Sequence, residues 1–258
     1  MVLVTGTPDG VAGAAVTARG LGVKGSHGWA YRDVDVAAAP GSLIAVEGPS
    51  GSGRTCLLLT LTGRMRPTAG EAAIGGFRVS QEMRRIRRIS ALAHVPGVSE
   101  LEPALTVAEH LRERALLQRR FGDSPRGLLR PRRERAAASR AAIEAALTAA
   151  GLDLAALPKG PRTAVRDLER LEALRLSVAL ALISRPRLLA VDDTDLKLSD
   201  AERERAWALL RGLAEDGTTV LAVCSQAPED AVAVSTTAGD KHDDEEEAAD
   251  ALTETGRA

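Results

Sequence analysis

Aromatic residues are almost missing from this sequence of 258 residues, since Trp, Tyr and Phe together make up only 2% of it. Apolar residues nevertheless account for 45%, so we expect a sizeable core built mainly from Leu, Val, Ala and Ile. The length suits one large domain, or one domain that carries a lobe.

An excess of charge of one sign is also missing, because the formal net charge is -1. A chain without a strong positive balance is not a polycation that seeks nucleic acid, and we expect no nucleic-acid partner. Cysteine is scarce, and Cys56 and Cys224 lie in apolar surroundings without metal-ligand spacing. This pattern favours buried free thiols in a reducing compartment.

Long hydrophobic runs are absent as well. The most apolar stretch, 176–184, falls far short of the roughly 20 residues that a helix needs to span a bilayer. Residues 1–4 lack the basic start and the long apolar stretch of a signal peptide. We therefore expect a soluble, cytoplasmic chain that reaches a membrane only by docking on a partner there.

Predicted strands and helices alternate along the sequence. Apolar segments separated by Gly and Pro predict strands, and capping boxes at Thr106–Glu109 and Ser199–Glu202 predict helix starts. Alternation of this kind implies a mostly parallel sheet with helices on its faces. The predicted strands are 16–23, 29–38, 42–47, 91–96, 187–191 and 218–224, the last being the final core strand; the predicted helices are 54–62, 106–121, 132–150, 168–184 and 199–215.

Two stretches have the composition of irregular chain. Residues 122–130 contain Gly, Ser and Pro, which predicts a linker inside a region rich in Arg. That basic region is expected to be mainly a solvated face, with contact to a partner as the alternative. From residue 236 the sequence turns polar and acidic, with five consecutive carboxylates at 243–247, and we expect 236–258 to be a disordered tail.

The strongest chemical signal is a glycine-rich turn between a predicted buried strand and a predicted helix. Glycines let backbone N–H groups surround phosphates, and a helix N-terminus adds unpaired donors and a favourable dipole. The hydroxyl of Thr55 is expected to be a ligand for Mg²⁺. The candidate nucleotide-binding residues are the turn Gly48, Pro49, Ser50, Gly51, Ser52, Gly53, Arg54 and Thr55, followed by Cys56 in the helix.

Arg54 departs from the strict phosphate-loop pattern, which has lysine at this position. Arginine keeps the positive charge but replaces a compact ammonium with a planar fork. We expect attraction for phosphate to survive and the fine positioning of the γ-phosphate to suffer. The alternative is a glycine-rich turn between a strand and a helix that binds no ligand.

A second candidate site lies where the apolar run 188–191 ends in Asp192 and Asp193. Ligands of doubly wound sheets bind at the carboxyl ends of the strands, so this pair is expected beside the phosphate loop. Asp192 is the candidate Mg²⁺ ligand together with Thr55, and Asp193 is the candidate catalytic residue that polarises an attacking water. The alternative is an Asp pair that simply begins a turn.

Together these residues resemble the ATP-binding subunit of ABC transporters, over roughly residues 16–230. The stretches 63–71, 105–111 and 184–189 are similar to further segments of that family, in the same order and spacing. The resemblance implies an α/β P-loop fold of the ABC ATPase type, with a mostly parallel core sheet, an antiparallel N-terminal β subdomain and a helical lobe. It implies an ATP-binding domain over 14–235 with its lobe at about 98–182.

The departures from the family fall on positions that act at the γ-phosphate. Gly97 stands where the family has a glutamine after the strand 91–96, and 168–172 replaces its Leu-Ser-Gly-Gly-Gln signature with Leu-Glu-Arg-Leu-Glu. Asp193 replaces a glutamate, and Ser225 replaces the switch histidine. With Arg54 these changes imply weakened or lost hydrolysis. An aromatic residue that stacks on adenine is expected before the loop, and the candidates are Trp29, His27 and Tyr31, with packing against the sheet as the alternative.

The resemblance implies a subunit that binds MgATP, pairs with a copy of itself or another ATP-binding subunit, and couples closure of that dimer to an integral-membrane permease. It would then lie on the inner face of the cell membrane. The alternative is a regulatory module that binds ATP and switches a soluble partner without turnover.

Overall fold

A computed structural model describes residues 12–26, 28–121, 131–194 and 198–237. His27, the predicted linker 122–130 and the acidic run 243–247 lie outside these ranges. The described chain folds into two sheets and the helices around them. None of its described helices is both long and apolar enough to cross a membrane.

The first sheet is a five-stranded parallel sheet in the order β6-β7-β8-β3-β9. Every residue of β7 and β8 is buried, as expected for strands that helices cover on both faces. The prediction that 218–224 is the final core strand is wrong, because β9 follows it and pairs with β3. The strands are β3 (Leu43–Glu47), β6 (Ser90–Ala93), β7 (Leu188–Val191), β8 (Thr219–Val223) and β9 (Val232–Ser235).

The second sheet is antiparallel, in the order β2-β1-β4-β5. Its strands are β1 (Val16–Gly25), β2 (Gly28–Ala38), β4 (Ala69–Ile74) and β5 (Phe77–Arg78). Buried and exposed residues alternate along β1 and β2, which places one face of the sheet in the core. That face packs with the first helix into one hydrophobic cluster, which includes Leu21, Tyr31, Leu57 and Leu61.

The helices are α1 (Arg54–Leu61), α2 (Val79–Ile89), α3 (Val107–Phe121), α4 (Arg132–Ala149), α5 (Arg170–Leu182) and α6 (Asp200–Glu215). Both predicted capping boxes form: Thr106 and Ser199 donate their backbone N–H groups to Glu109 and Glu202 at 2.8 and 2.9 Å. The sequence-based prediction missed α2, although its apolar residues Val79, Met83, Ile86 and Ile89 recur at helical spacing among Arg and polar residues.

Helices α3, α4 and α5 share a separate hydrophobic cluster that contains Val107, Leu111, Ala146 and Leu176. This cluster gives the predicted helical lobe a small core of its own beside the parallel sheet. The predicted fold class is confirmed: a P-loop type α/β domain with a parallel core sheet, an antiparallel β subdomain and a helical region.

Candidate functional site

Three strands bring the predicted site residues to one edge of the parallel sheet. Strands β7, β8 and β3 are neighbours and run in the same direction. Their carboxyl ends are followed by Asp192, Cys224 and Gly48. The glycine-rich turn and the acidic pair therefore lie at the same edge, with the end of β8 between them, as the sequence predicts.

The backbone of the glycine-rich turn has conformations that require glycine. Gly51 and Gly53 have φ angles of 85° and 80°, in the left-handed region that other residues avoid. A Cβ on Gly53 would lie 2.1 Å from the carbonyl oxygen of Ala30 on β2, whereas a Cβ on Gly51 would meet nothing within 4 Å. The turn is thus packed tightly on its β2 side and is open at Gly51.

Helix α1 begins after Gly53, which has no side chain with which to cap the helix. Its first turn holds no acidic residue. The first amides of a helix have no partner inside the helix; here the amide of Leu57 bonds to the Gly53 carbonyl at 2.9 Å. The preceding amides form a helix N-terminus of the kind that binds phosphate.

Arg54 extends from this helix start to the neighbouring strand. Its Nη1 donates a hydrogen bond of 2.6 Å to the carbonyl oxygen of Cys224, at the end of β8. Burial raises the pKa of Asp192, and the positive charge of Arg54 is the weakest of the influences that lower it. The guanidinium therefore lies between the glycine-rich turn and the acidic pair, and not at the rim of the site.

The two candidate metal ligands are in direct contact. The Thr55 hydroxyl donates a hydrogen bond of 2.6 Å to Oδ2 of Asp192, and Asp192 is only 1% exposed. Burial raises the pKa of Asp192, and the hydrogen bond from Thr55 opposes this shift. A hydroxyl and a carboxylate oxygen are hard ligands that suit Mg²⁺, which typically uses one or two protein carboxylates and takes its other ligands from phosphates and water. The donor set therefore fits the ion.

Asp193 lies beside a histidine that the sequence analysis did not single out. Asp193, His94 and Arg170 line a small cavity of about 20 Å³, which is large enough for one water molecule. Burial lowers the pKa of His94, as does the charge of Arg170, whereas Asp193 raises it. The amide of Asp193 bonds to Oδ1 of Asp192 at 2.9 Å, so the two carboxylates are held in one compact turn.

The assignment of Gly97 to the family's glutamine position is wrong in this structure. Strand β6 ends at Ala93, so the residue that follows the strand is His94. Gly97 lies further along in an exposed turn, where its amide bonds to Glu100 at 2.8 Å. The error came from extending the strand to 96; β6 ends at Ala93, and the next residue, His94, adopts a left-handed φ of 45°.

The segment 168–172, which takes the place of the family signature, forms the start of α5. Glu172 accepts the backbone N–H of Glu169 at 2.8 Å, and Leu171 is buried at 5% exposure. Arg170 is exposed and lines the small cavity beside Asp193. The carboxylate of Glu172 is therefore used to cap its own helix.

The candidates for an adenine-stacking aromatic residue differ in burial. Tyr31 is 3% exposed and belongs to the core cluster, and burial raises the pKa of its hydroxyl to about 12, so it does not fit. Trp29 is 43% exposed, and Lys24 Nζ lies 5.6 Å from the centroid of its ring. Of the two candidates that the structure describes, Trp29 is therefore the more accessible.

A second residue that the sequence analysis missed follows β9 and contacts the glycine-rich turn. Thr236, the first residue of the predicted acidic tail, is 6% exposed, and its hydroxyl lies 2.6 Å from the hydroxyl of Ser52. No local sequence signal indicates this contact, because it depends on β9 pairing with β3.

Comparisons with known proteins agree on the family. A family model described as ABC transporter matches residues 31–195, which is more than half of the chain. The chain is 30% identical over 208 residues to the hemin import ATP-binding protein HmuV of Gloeobacter violaceus, and the match covers 80% of this chain and 71% of that protein. It is 28% identical to the Nod factor export ATP-binding protein I of Rhizobium etli, with 71% of this chain and 51% of that protein covered. The chain thus spans about half the length of that relative.

Solved structures show the same fold. The dimeric ATP-binding cassette MJ0796, in a post-hydrolysis state bound to ADP and Pi, matches with a TM-score of 0.62 and 23% identity, over 82% of this chain and 88% of that one. The protein cbiO1 from Clostridium perfringens, part of the ABC transporter complex cbiONQ, matches with a TM-score of 0.63 and 16% identity, over 82% and 78%. At this identity the structures support the fold alone. The family model covers residues 31–195, and one relative is 30% identical over 80% of this chain. The chain therefore belongs to the ABC transporter family, among its ATP-binding proteins.

Proposed function

We propose that this chain binds MgATP at the turn Gly48–Thr55 as the ATP-binding subunit of an ABC transporter. The observation that carries the proposal is the uncapped N-terminus of α1, which follows a left-handed Gly53 and holds no acidic residue in its first turn. Phosphate groups suit such a terminus because they accept hydrogen bonds from its free amides and complement its dipole. Arg54 adds a positive charge at the same edge of the sheet.

Mg²⁺ would be held by Thr55 and Asp192. When bound, the ion neutralises charge on the β- and γ-phosphates and orients them. The hydrogen bond between Thr55 and Asp192 already holds the two candidate ligand oxygens 2.6 Å apart, so they are preorganised for the ion. Asp193, one residue further, is the candidate group for polarising an attacking water.

Hydrolysis is proposed to be weak. Asp193 carries one methylene fewer than the family's glutamate, and Ser225 has no charge to offer a γ-phosphate. In the segment 168–172, Arg170 and the buried Leu171 stand where the signature has its two glycines, and Glu172, which caps its own helix, stands where it has glutamine. Each preorganised contact to a transition state is worth about two to three orders of magnitude in rate, so several losses together leave binding more intact than turnover.

Permease coupling and dimer formation complete the proposal. The relatives include an import protein and an export protein, and one solved relative is described as part of a transporter complex. We propose that the domain spans 14–235, pairs with a copy of itself or with another ATP-binding subunit, and docks through its helical region, about 98–182, on an integral-membrane permease at the inner face of the membrane.

Titration of the full chain with a fluorescent ATP analogue and Mg²⁺ tests the nucleotide site. We expect saturable binding below millimolar nucleotide, dependence on Mg²⁺, and slow phosphate release. A lack of binding at millimolar nucleotide would refute the site, and rapid phosphate release would refute weak hydrolysis. The double variant R54K/D193E is expected to release phosphate faster than the parent chain.

Affinity purification from membranes tests the coupling to a permease. Co-purification of a polytopic membrane protein with the full chain, in proportion to the chain, is the expected result. A variant that lacks the exposed lobe side chains Leu116 and Leu117, which are 60% and 43% exposed, is the matched comparison, because these changes lie far from the phosphate loop in sequence. Recovery of the chain without any membrane partner would contradict the transporter assignment.

A further inference from the structure

The residue after strand β9, Thr236, places its hydroxyl beside the phosphate loop. The strand pairs in parallel with β3, with Ser235 opposite Glu47, and the next residue, Thr236, continues this pairing because its amide donates to the Glu47 carbonyl at 3.2 Å. Thr236 thereby comes to lie directly beside Gly48 and Ser52, at 6% exposure.

The contact between Thr236 and the loop is a close one. The Thr236 and Ser52 hydroxyl oxygens are 2.6 Å apart, a distance that only a hydrogen bond permits. A Cβ placed on Gly48 would lie 2.7 Å from each of these two oxygens. A side chain at Gly48 would therefore collide with both hydroxyl groups.

The pair acts on the part of the loop that precedes the helix. The amide of Ser52 closes a turn on the Pro49 carbonyl at 3.2 Å, and the next residue is the left-handed Gly53. Holding the Ser52 side chain fixes that turn and hence the direction of the amides that come after it. A site for phosphate works only when its donors are held in place before the ligand arrives.

We propose that Thr236 is a positioning residue for the phosphate loop: its hydroxyl holds Ser52, and through it the loop backbone, in the conformation that accepts a nucleoside triphosphate. The inference rests on the nucleotide-binding function proposed above. Thr236 is proposed to act through Ser52, which is its closest hydroxyl contact at 2.6 Å; its hydroxyl also lies 3.5 Å from the Glu47 carbonyl oxygen.

Substitutions at both ends of the contact test the proposal in the full chain. T236V keeps the shape and removes the hydroxyl, T236S keeps the hydroxyl, and S52A removes the partner. T237V is the matched control, because Thr237 is the next residue and its hydroxyl bonds to Ser235 at 2.7 Å and not to the loop. The probe is the fluorescent ATP analogue with Mg²⁺.

The expected result is about a tenfold loss of affinity in T236V and in S52A, with T236S and T237V within about twofold of the parent chain. The double variant S52A/T236V is expected to lose little more than either single variant, because removing both partners leaves no unpaired hydroxyl. Hydrogen exchange of the loop amides is expected to become faster in T236V and to stay unchanged in T237V.

Four outcomes overturn the proposal. If T236V binds nucleotide like the parent, the hydroxyl pair does not position the loop. The same follows if the losses of binding free energy in T236V and S52A add fully in the double variant. If T236V lowers the unfolding temperature and leaves both affinity and loop exchange unchanged, Thr236 is merely structural. T236S and S52A keep the test valid if T236V does not fold. A parent chain that binds no nucleotide refutes the proposed function as well, whereas the other outcomes refute only the role of Thr236.

Discussion

Two helix N-termini in this domain have opposite chemistry. Helix α1 starts after Gly53, with no side-chain cap and no acid in its first turn. Helix α5 starts at the position of the family signature, and there Glu172 accepts the backbone N–H of Glu169. An uncapped helix N-terminus is available to an anion, whereas a terminus that carries its own carboxylate is already neutralised.

In the proposed function, the N-terminus of α1 serves nucleotide binding, and the position at the N-terminus of α5 serves hydrolysis. In the family resemblance, both termini face phosphates, one in each subunit of a dimer. Here the terminus of α1, which is proposed to bind phosphate, keeps its glycines and a positive charge at Arg54, while the terminus of α5 has a buried Leu171 and a cap from Glu172. Substitutions that change nucleotide affinity and substitutions that change the rate of hydrolysis are therefore expected to fall on different residues of this chain.

The largest expected effect is at the packed glycine of the loop. G53A places a Cβ 2.1 Å from the Ala30 carbonyl, on a residue with a φ of 80°, and should lower the free energy of unfolding by more than about 4 kcal/mol. G51A has a similar φ and open space, and should lower it by only about 1–2 kcal/mol. Chemical denaturation of both variants checks this, and equal losses would contradict the tight packing at Gly53.

The start of α5 is expected to be sensitive as a structural element. L171G removes a side chain that is 5% exposed and packs in the core with Leu174, so the free energy of unfolding should fall by about 3 kcal/mol. R170G, one residue earlier at an exposed position, should lower it by about 1 kcal/mol. If L171G is no more destabilising than R170G, the segment is not structural and the contrast with α1 fails.

The metal ligand on α1 is expected to affect binding more than stability. T55A removes a candidate Mg²⁺ ligand and leaves the Asp192 carboxylate without its hydroxyl partner, so affinity for the ATP analogue with Mg²⁺ should fall by about 10- to 100-fold. T55S retains the hydroxyl and should bind within about threefold of the parent. Binding in excess EDTA should differ little between T55A and T55S, and a T55A defect that persists unchanged there would argue against a metal role.

The smallest expected effect concerns the cap on α5. E172A removes the acceptor for the Glu169 amide and should lower the free energy of unfolding by about 1 kcal/mol. E172Q keeps a side-chain oxygen at the same position and should cost less than half as much. Thermal unfolding of the three chains provides the measurement, and identical curves would mean that the cap contributes nothing.

The sequence predicted the parts of the site that depend on local signals. The glycine-rich turn, the acidic pair and both capping boxes are short patterns whose geometry follows from neighbouring residues, and the structure brings Thr55 and Asp192 together as expected. Strand β9 and Thr236 were missed because their role depends on pairing with β3, almost two hundred residues earlier. The four residues of β9, Val232–Ser235, are too few and too moderately hydrophobic to predict such pairing from their own sequence.

His94 was missed for a different reason. The apolar pattern of β6 runs on through Val95 and Pro96 in the sequence, but a left-handed residue ends the strand at Ala93. Histidine is enriched among the non-glycine residues that adopt this conformation, but it adopts it too rarely for the residue type alone to predict the end of the strand. Tyr31 shows the reverse case, because an aromatic residue near the loop matched the expectation for adenine stacking and is instead part of the core.

The hydrogen bond from Arg54 to the end of β8 has a thermodynamic consequence. A free arginine side chain loses about 2 kcal/mol of rotamer entropy when it is immobilised, and Nη1 is already fastened to the Cys224 carbonyl. Much of that entropy has been given up during folding, so an arriving anion meets a cation whose remaining N–H groups have a set direction. The arginine that departs from the usual loop pattern thus has its charge held in place by a backbone carbonyl.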